Sequence, residues 1–535
     1  MKNKIQGNIY GGLTAGVIAL PLALAFGMAS GMGAAAGLYG AIIVSFFAAI
    51  FGGTKTQISG PTGPMTVVVA SVIALFPNNP KVICATILVA GIFQIVLGLV
   101  KVGNLIHYVP YPVISGFMSG VGAIIILLQI NPLLGHNAMG NILQTVKSYP
   151  SVFQTINIEC LILGIITFCI LFFTPKKIEK AVPSSLLALI VATVISVLFH
   201  FDVPVIGAIP KGLPHFQLGM ISLDEIYTII PPALTLAVLG AIDSLLTSLV
   251  ADSMTRTKHN SNRELIGQGI GNAMAGMFGG LAGAGATMRT AVNIKSGGTD
   301  RLSGVVHCLF LLTVLIVLSP VASKIPLCVL AAILIKVGID IIDYKFLGVI
   351  KKISRRESAV MVVVFLLTVF HDLIFAVGVG IVLSSLLFAA SVSEHTNVEN
   401  IKLEEIGDIE ENLIDENYSK LISFVRIDGA FFFGSSALVL NQIEKMSQDM
   451  KCMILYCRRV VTIDISAVFV LEEMLGRLKS HGISVIPVFK NEEIAKHILE
   501  LGLSKYVNED DIAYDKESAV QKAKSLVEKY LTKDA

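Results

Sequence analysis

The stretch GGTKTQISGPTGPMTVV, residues Gly52 to Val68, stands out because a segment broken by glycine and proline turns abruptly into an apolar run. A second stretch, GGLAGAGATMRTAVNI at Gly279 to Ile294, has the same order of features. Each begins with a Gly-Gly pair and continues with small residues, a Gly-x-Thr and a short helical pattern. Thr62 and Thr287 occupy equivalent places. The chain therefore has two halves that carry the same interruption.

The composition indicates that these interruptions belong to a membrane protein. Of the 535 residues, 54% are hydrophobic and only 15% are charged, which is unusual for a soluble domain. Apolar runs of about 17 to 25 residues predict fourteen membrane spans, two of them too short to cross. Fifteen Lys and Arg residues fall in loops on one side and four on the other, so both termini are expected in the cytoplasm. Seven spans in each half would form an inverted repeat, because seven is odd.

Acidic residues divide the chain into two bodies. Thirteen of the 38 Asp and Glu residues precede Ser393, and the other 25 follow within the last 143 residues. This shift predicts a membrane domain at residues 1–391, a linker at 392–420 and a cytoplasmic domain at 421–535. Strand and helix patterns alternate in the last segment, which predicts a small α/β domain.

The two interrupted segments predict an anion-binding site. Irregular backbone at membrane depth is tolerated where it lines a polar cavity, and paired interruptions are typical of transporters. A helix start carries about half a positive charge and free N–H groups, so two facing starts attract an anion. Thr62 and Thr287 would add hydroxyl donors, whereas Gly60, Gly285 and Ala286 would keep the backbone accessible. Close packing of small residues and capping by each threonine are the alternatives.

Asp243 lies in the apolar stretch PPALTLAVLGAIDSLLTSLVADS and has no basic neighbour in that helix. A membrane-buried carboxylate costs about 2.5–3.5 kcal/mol unless it is neutralised, which makes it a functional candidate. A proton, a cation, Arg289 or Lys336 could neutralise it. Thr247 lies one turn further on the same face. Carbonyl groups of residues 284–287 could complete a shell of hard oxygen ligands for Na⁺.

Charge balance at this site predicts coupled transport. Two helix starts, Asp243, one Na⁺ and one monovalent anion sum to about zero, so the cation is expected to bind first. A divalent anion would fit only if Arg289 faces it, and the sequence leaves that direction open.

These residues also resemble a known family. GAAAGLYGAIIVSFFAAIFGGTKTQISGPTGPMTVVV resembles the signature of the sulfate permease (SulP) family, and the region from Ala241 to Gly298 is similar to its sodium-dependent bicarbonate branch. The resemblance implies a seven-plus-seven inverted repeat, elevator-like alternating access and a bicarbonate contact at Thr62. The Na⁺ ligands that it implies are Asp243, Thr247, Gly285, Ala286 and Thr287. Arg289 resembles an arginine of the sulfate and chloride branches. Its presence leaves the transport of divalent anions open. The alternatives are H⁺-coupled sulfate or dicarboxylate symport and anion exchange.

The last domain resembles a STAS domain, which implies homodimer contacts. Its segment TIDISAV places Ser466 shortly after Asp464. In similar regulatory proteins a serine after an aspartate is phosphorylated, so Ser466 is a regulatory candidate. The alternative is that Ser466 caps the helix that follows.

Taken together, these patterns predict a multi-pass plasma-membrane protein, in the inner membrane of a bacterium, that carries Na⁺ and bicarbonate into the cell. A channel or a receptor is an alternative class. An enzyme is not expected, because Ser303 and His307 show no catalytic partner in the sequence. We expect the lipid bilayer and a small inorganic anion as partners, no nucleic acid, and no cofactor besides the coupling Na⁺.

Overall fold

The chain forms two compact units, Met1–Val382 and Leu383–Ala535. The computed structural model describes residues 2–77, 79–104, 109–138, 142–175, 178, 182–207, 214–217, 223–371, 373–394, 396–401, 421–446 and 450–532. Most of the predicted linker, residues 402–420, lies outside the described residues. The predicted domain boundaries at 391 and 421 therefore stay a prediction.

The first part of the chain consists mainly of helices in the residues that the structure describes. In the described ranges, six helices are long and apolar enough to cross a membrane, and four apolar helices are shorter. The helices α1 to α16 are Lys2–Ser30, Ala34–Phe51, Gly63–Leu75, Pro80–Leu99, Tyr111–Leu133, Ile142–Val152, Ile158–Phe173, Ser184–Leu198, Leu223–Thr255, Ser261–Met277, Thr287–Lys295, Leu302–Ala322, Leu327–Ile341, Tyr344–Val349, Arg355–Phe370 and Leu373–Glu394.

The helices of the first unit pack as two sets. In one set α10 packs along α2, α4 and α9, and α12 packs on α1 and α2. In the other set α5 packs on α13 and α15, and α7 packs on α8 and α13. Glycines allow the closest approach: a Cβ on Gly91 of α4 would lie 2.5 Å from the carbonyl oxygen of Gly269 on α10. Small residues at such crossings bring helix backbones into contact.

The two interrupted segments meet in a short antiparallel pair of strands. In the pair, β1 (Ser59–Gly60) lies against β2 (Ala284–Gly285). The helices that follow, α3 and α11, contain 13 and 9 residues, so each is too short to cross a bilayer. The fold therefore brings two helix starts from opposite halves of the chain side by side.

The second unit contains a five-stranded sheet with a hydrophobic core on each face. In the sheet, β4 pairs in parallel with β5 and β6 and antiparallel with β3, and β5 pairs in parallel with β7. Val425 and Ile427 face one core, and Ile422 and Phe424 face the other, as the period of a strand requires. The strands β3 to β7 are Asn397–Ile401, Ile422–Phe431, Cys452–Tyr456, Val460–Ile463 and Ser484–Val488. The helices α17 to α20 are Ser436–Met446, Ile465–Ser480, Glu492–Glu500 and Lys516–Leu531.

Two details of this unit differ from the sequence prediction. Asn397–Ile401 falls in the predicted linker but forms β3, because its backbone pairs with the edge of β4. The segments LISFVRIDG and AFFFG each have a strand pattern and predict two strands, whereas the structure has the single strand β4. This strand stays continuous because its first half pairs with β5 and its second half with β6.

The start of α18 is capped by Asp464. Its Oδ1 accepts a hydrogen bond from the Ala467 N–H at 2.8 Å, and its Oδ2 accepts one from the Phe433 N–H at 3.1 Å. Ser466 lies within the first turn of the helix and is partly exposed. The alternative in which Ser466 caps this helix is therefore wrong, and its phosphorylation stays a prediction.

Replacing Asp464 with Ala is expected to loosen the start of α18 and the backbone at Phe433 together. Loss of an N-cap costs about 1 kcal/mol, which corresponds to roughly fivefold faster amide exchange where exchange reports local opening. Hydrogen–deuterium exchange of the full-length protein measures this change. Asp464→Asn keeps an acceptor and serves as the control. Unchanged exchange at Ala467 in Asp464→Ala would contradict the capping role.

Candidate ion-binding site

The candidate site lies where α9 passes the starts of α3 and α11. The carboxylate of Asp243 faces the hydroxyl of Thr62. Among the described residues, however, Asp243 Oδ2 and Thr62 Oγ1 are both buried and have no hydrogen-bond partner. Thr62 is the N-cap residue of α3, but its side chain makes no capping bond, so the capping alternative is wrong for this threonine. Because buried polar atoms are nearly always paired, two buried oxygens that face one another without a hydrogen bond are candidates for contact with a ligand.

One turn along α9, the hydroxyl of Thr247 contacts two further oxygen atoms. Its Oγ1 donates to the carbonyl oxygen of Gly285 at 3.0 Å and lies 2.8 Å from Thr287 Oγ1. Because the Thr247 proton is used at Gly285, the Thr287 hydroxyl is the donor in the second contact. The N-cap position of α11 is Ala286, and Thr287 lies inside the helix, so the capping alternative is wrong for Thr287 as well. Two hydroxyls and a carbonyl form a cluster of hard oxygen ligands on the face of α9 that carries Asp243.

The sequence predicts that the backbone at Gly285 and Ala286 is accessible to an anion, and the structure differs. The Gly285 N–H donates to Ser244 Oγ at 3.0 Å, and the Ala286 N–H donates to the Ile58 carbonyl at 2.9 Å. Neither N–H group is free for an anion in this arrangement. The first turn of α11 supplies the donors instead, because a helix leaves its first N–H groups without internal partners.

Arg289 points from α11 toward the other half of the chain. It is 2% exposed, and its Nη2 donates to the Pro61 carbonyl. A Cβ on Gly60 would lie 2.8 Å from Arg289 Nη1, and Gly60 has a φ of 142°, so this position requires glycine. The positive charge of Arg289 acts on Asp243. The other proposed partner, Lys336, donates to Asp340 at 2.6 Å, and the expected alternative of a Lys336 pair with Asp243 is wrong.

A row of polar side chains on α10 joins both interrupted segments to the site. The row, which we call the α10 polar row, consists of Glu264, Gln268 and Asn272, spaced four residues apart on one helix face. Gln268 Nε2 donates to Ser59 Oγ, and Asn272 exchanges two hydrogen bonds with the backbone of Gly283 at 2.8 and 2.9 Å. The row thus contacts the segment before α3 and the segment before α11.

Glu264 is the charged member of this row, and it is 1% exposed. The backbone N–H groups of Gly53 and Thr54 donate to its Oε2, each at 2.8 Å. The side-chain amides of Gln57 and Gln268 donate to its Oε1 at 2.8 and 2.9 Å. This row was not predicted from the sequence. Its signal was the four-residue spacing of polar residues in RELIGQGIGNAM, a pattern that also fits an ordinary amphipathic helix.

Each of the two parts of the chain matches the sequence profile of a known family. The profile of the sulfate permease family matches residues 5–364, and that of the STAS domain matches residues 415–519. The chain belongs to the sulfate permease family. The resemblance predicted from its motifs is therefore confirmed. The protein is a multi-pass membrane transporter for anions, and the prediction that it is not an enzyme is confirmed as well.

Individual relatives support the same assignment. The bicarbonate transporter BicA of Synechocystis sp. is 39% identical over 503 residues, which cover 91% of this chain and 88% of the relative. The solved transmembrane domain of a cyanobacterial BicA is 49% identical, with a TM-score of 0.65 over 70% of this chain and 97% of that chain. Murine solute carrier 26 family member A9, an anion transporter solved in the inward-facing state, has a TM-score of 0.82. That match covers 97% of this chain and 91% of that chain at 19% identity, and it shows the fold alone.

Proposed function

We propose that this protein carries bicarbonate into the cell together with Na⁺ as a secondary active symporter. The observation that carries the proposal is the oxygen cluster around Thr247 beside the unpartnered carboxylate oxygen of Asp243. A buried carboxylate and three neutral oxygens are the ligand types that Na⁺ prefers. The BicA relatives support bicarbonate as the anion.

The proposed roles follow from the types of atom available. Na⁺ would satisfy Asp243 Oδ2 and draw on the lone pairs of the oxygen cluster, and the anion would lie at the two helix starts. The proposed Na⁺ ligands are Asp243, Thr247, Gly285, Ala286 and Thr287. The proposed anion contacts are Gly60, Thr62, Thr287 and Arg289, and Gly285 and Ala286 would line the anion site without donating an N–H group to it.

The coupling of bicarbonate transport to Na⁺ follows from the negative charge of Asp243. Asp243 places a negative charge beside Thr62 at the start of α3, where the anion would bind. An anion approaching this carboxylate is repelled until a cation neutralises it. We therefore expect Na⁺ to bind first and bicarbonate second, with one of each per cycle.

The architecture we propose has fourteen spans in two inverted repeats of seven, with α3 and α11 as half-helices. The antiparallel pairing of equivalent segments in β1 and β2 supports it, because an inverted repeat relates such segments by a two-fold axis. The two helix sets would move past each other in an elevator-like cycle. We also propose a bacterial inner-membrane location, cytoplasmic termini, a homodimer formed through the STAS domain and regulation at Ser466.

Uptake by purified protein in liposomes tests the proposal. Labelled bicarbonate or labelled sulfate is supplied with either an inward Na⁺ gradient or an inward H⁺ gradient, and protein-free liposomes give the background. We expect saturable bicarbonate uptake with the Na⁺ gradient only. The buried guanidinium of Arg289 between the helix starts favours the second candidate, H⁺-coupled sulfate symport. Sulfate uptake driven by H⁺ would overturn the proposal in favour of that candidate.

A further inference from the structure

We infer that Glu264 is a specificity-determining carboxylate whose negative charge offsets Arg289 and keeps the site matched to one Na⁺ and one monovalent anion. Glu264 does not touch the oxygen cluster, and it acts through its charge. The inference rests on the proposed function, because it concerns the selectivity of that same site.

The hydrogen bonds of Glu264 favour its ionised form. Four N–H groups donate to its two oxygens, two to each, at 2.8 to 2.9 Å. Each carboxylate oxygen has two lone-pair directions, so both oxygens are fully used as acceptors. In this arrangement of the two glutamine amides, a proton on either oxygen would face an N–H donor. Hydrogen bonds of this kind stabilise the charged form of a carboxylate.

One side chain separates this charge from the oxygen cluster. Gln57 Nε2 donates to Glu264, and Gln57 Oε1 accepts from Ser248, the neighbour of Thr247 on α9. The same Gln57 Nε2 lies 2.2 Å from the position of a Cβ on Gly285. All of these groups are buried, so solvent screens the charge of Glu264 only weakly at the site.

Arg289 makes a second buried negative charge necessary. The two helix starts, Asp243, one Na⁺ and one bicarbonate already sum to about zero. Buried Arg289 would then leave the loaded site about one unit positive, and a divalent anion would neutralise it better than bicarbonate. Glu264 returns the sum to zero for the monovalent anion. Without Glu264, the site would therefore attract anions more strongly and bind Na⁺ less strongly.

Glu264→Gln tests this inference in the liposome assay. The change fits the site once the amides of Gln57 and Gln268 flip, because the Oε1 atom of each can then accept from the new amide. Among the described residues, Gln268 Oε1 is buried and has no other partner. We expect the Na⁺ concentration for half-maximal uptake to rise roughly tenfold and the KM for bicarbonate to fall. We also expect Na⁺-driven sulfate uptake to appear. These opposite shifts for cation and anion are not expected from a loss of structure, which would lower uptake of both.

Two controls separate charge from hydrogen bonding. Glu264→Asp keeps the charge and should retain the selectivity of the wild type. Gln268→Met removes two hydrogen bonds without changing the charge, and it should lower the rate without admitting sulfate. Sulfate uptake in Gln268→Met would overturn the inference, as would unchanged Na⁺ and anion constants in Glu264→Gln.

A converse variant covers the case in which Glu264→Gln does not fold. Arg289→Gln removes the opposing charge, and we expect a lower half-maximal Na⁺ concentration and a higher KM for bicarbonate. The same shifts as those expected for Glu264→Gln, or none, would overturn the inference. If wild-type protein shows no Na⁺-driven bicarbonate uptake, the proposed function fails. If only the variants depart from expectation, the role of Glu264 fails alone.

Discussion

Asp243→Asn is expected to abolish Na⁺-driven bicarbonate uptake at Na⁺ concentrations that saturate the wild-type protein. Asp243 supplies the only formal charge among the proposed Na⁺ ligands, and its Oδ2 has no other partner among the described residues. A carboxylate in direct contact with Na⁺ contributes several kcal/mol even at an effective dielectric constant of about 20. The half-maximal Na⁺ concentration should therefore rise by roughly a hundredfold or more. Uptake measured against a series of inward Na⁺ gradients gives this value.

Asp252→Asn is the matched control for this prediction. Asp252 lies further along α9, where it accepts a hydrogen bond from His259, and it takes no part in the oxygen cluster. Its neutralisation should leave the Na⁺ dependence unchanged. Na⁺-driven uptake that persists in Asp243→Asn would contradict the cation site. If the same variant instead lost an H⁺ dependence, Asp243 would be a proton carrier.

Gly285→Ala is expected to reduce uptake at least tenfold while the protein remains folded. An added Cβ would lie 2.2 Å from Gln57 Nε2 and 3.0 Å from the Cα of Ser244. Gln57 links Glu264 to Ser248, so its displacement would break two buried hydrogen bonds next to Thr247. Overpacking of this kind typically costs 1–3 kcal/mol, about a tenfold change or more. Uptake rates and thermal unfolding in detergent measure the two effects separately.

Gly348→Ala provides the control for the glycine substitution. Among the described residues, no atom beyond its own neighbours in the helix lies within 4 Å of the position that its Cβ would take. The same chemical change there should leave uptake unchanged and should not lower the unfolding temperature. If Gly285→Ala transports as well as Gly348→Ala, the oxygen cluster tolerates a displaced Gln57, and close packing at β2 is not required for transport.

Local sequence features were sufficient for the main components of the site. A carboxylate and a hydroxyl four residues apart share a helix face whatever the tertiary structure, so Asp243 and Thr247 were identified together. The Gly-x-Thr motifs marked the helix starts, because glycine and proline interrupt helices through their own backbone chemistry. A role for Glu264 could not be predicted in this way, because polar residues spaced four apart occur on many helices that carry no site.

The sequence could not show how far a side chain reaches or in which direction it points. Arg289 could face the anion, Asp243 or the backbone, and only the packed structure shows its hydrogen bond to the Pro61 carbonyl. Thr62 was expected either to cap α3 or to bind a ligand, and its hydroxyl does not cap. These outcomes depend on atoms contributed by other segments.

The sequence by itself determined that this is a multi-pass membrane transporter with a STAS domain, and it located two equivalent helix interruptions and a carboxylate in an apolar span. Composition, hydrophobic run length and residue type specify these features because each acts within a few neighbouring residues. Only the tertiary structure decided that β1 pairs with β2, that Thr247 meets Gly285 and Thr287, and that the α10 polar row joins both interrupted segments. Such contacts link residues from distant parts of the chain. They form through the packing of whole helices, which no local pattern encodes.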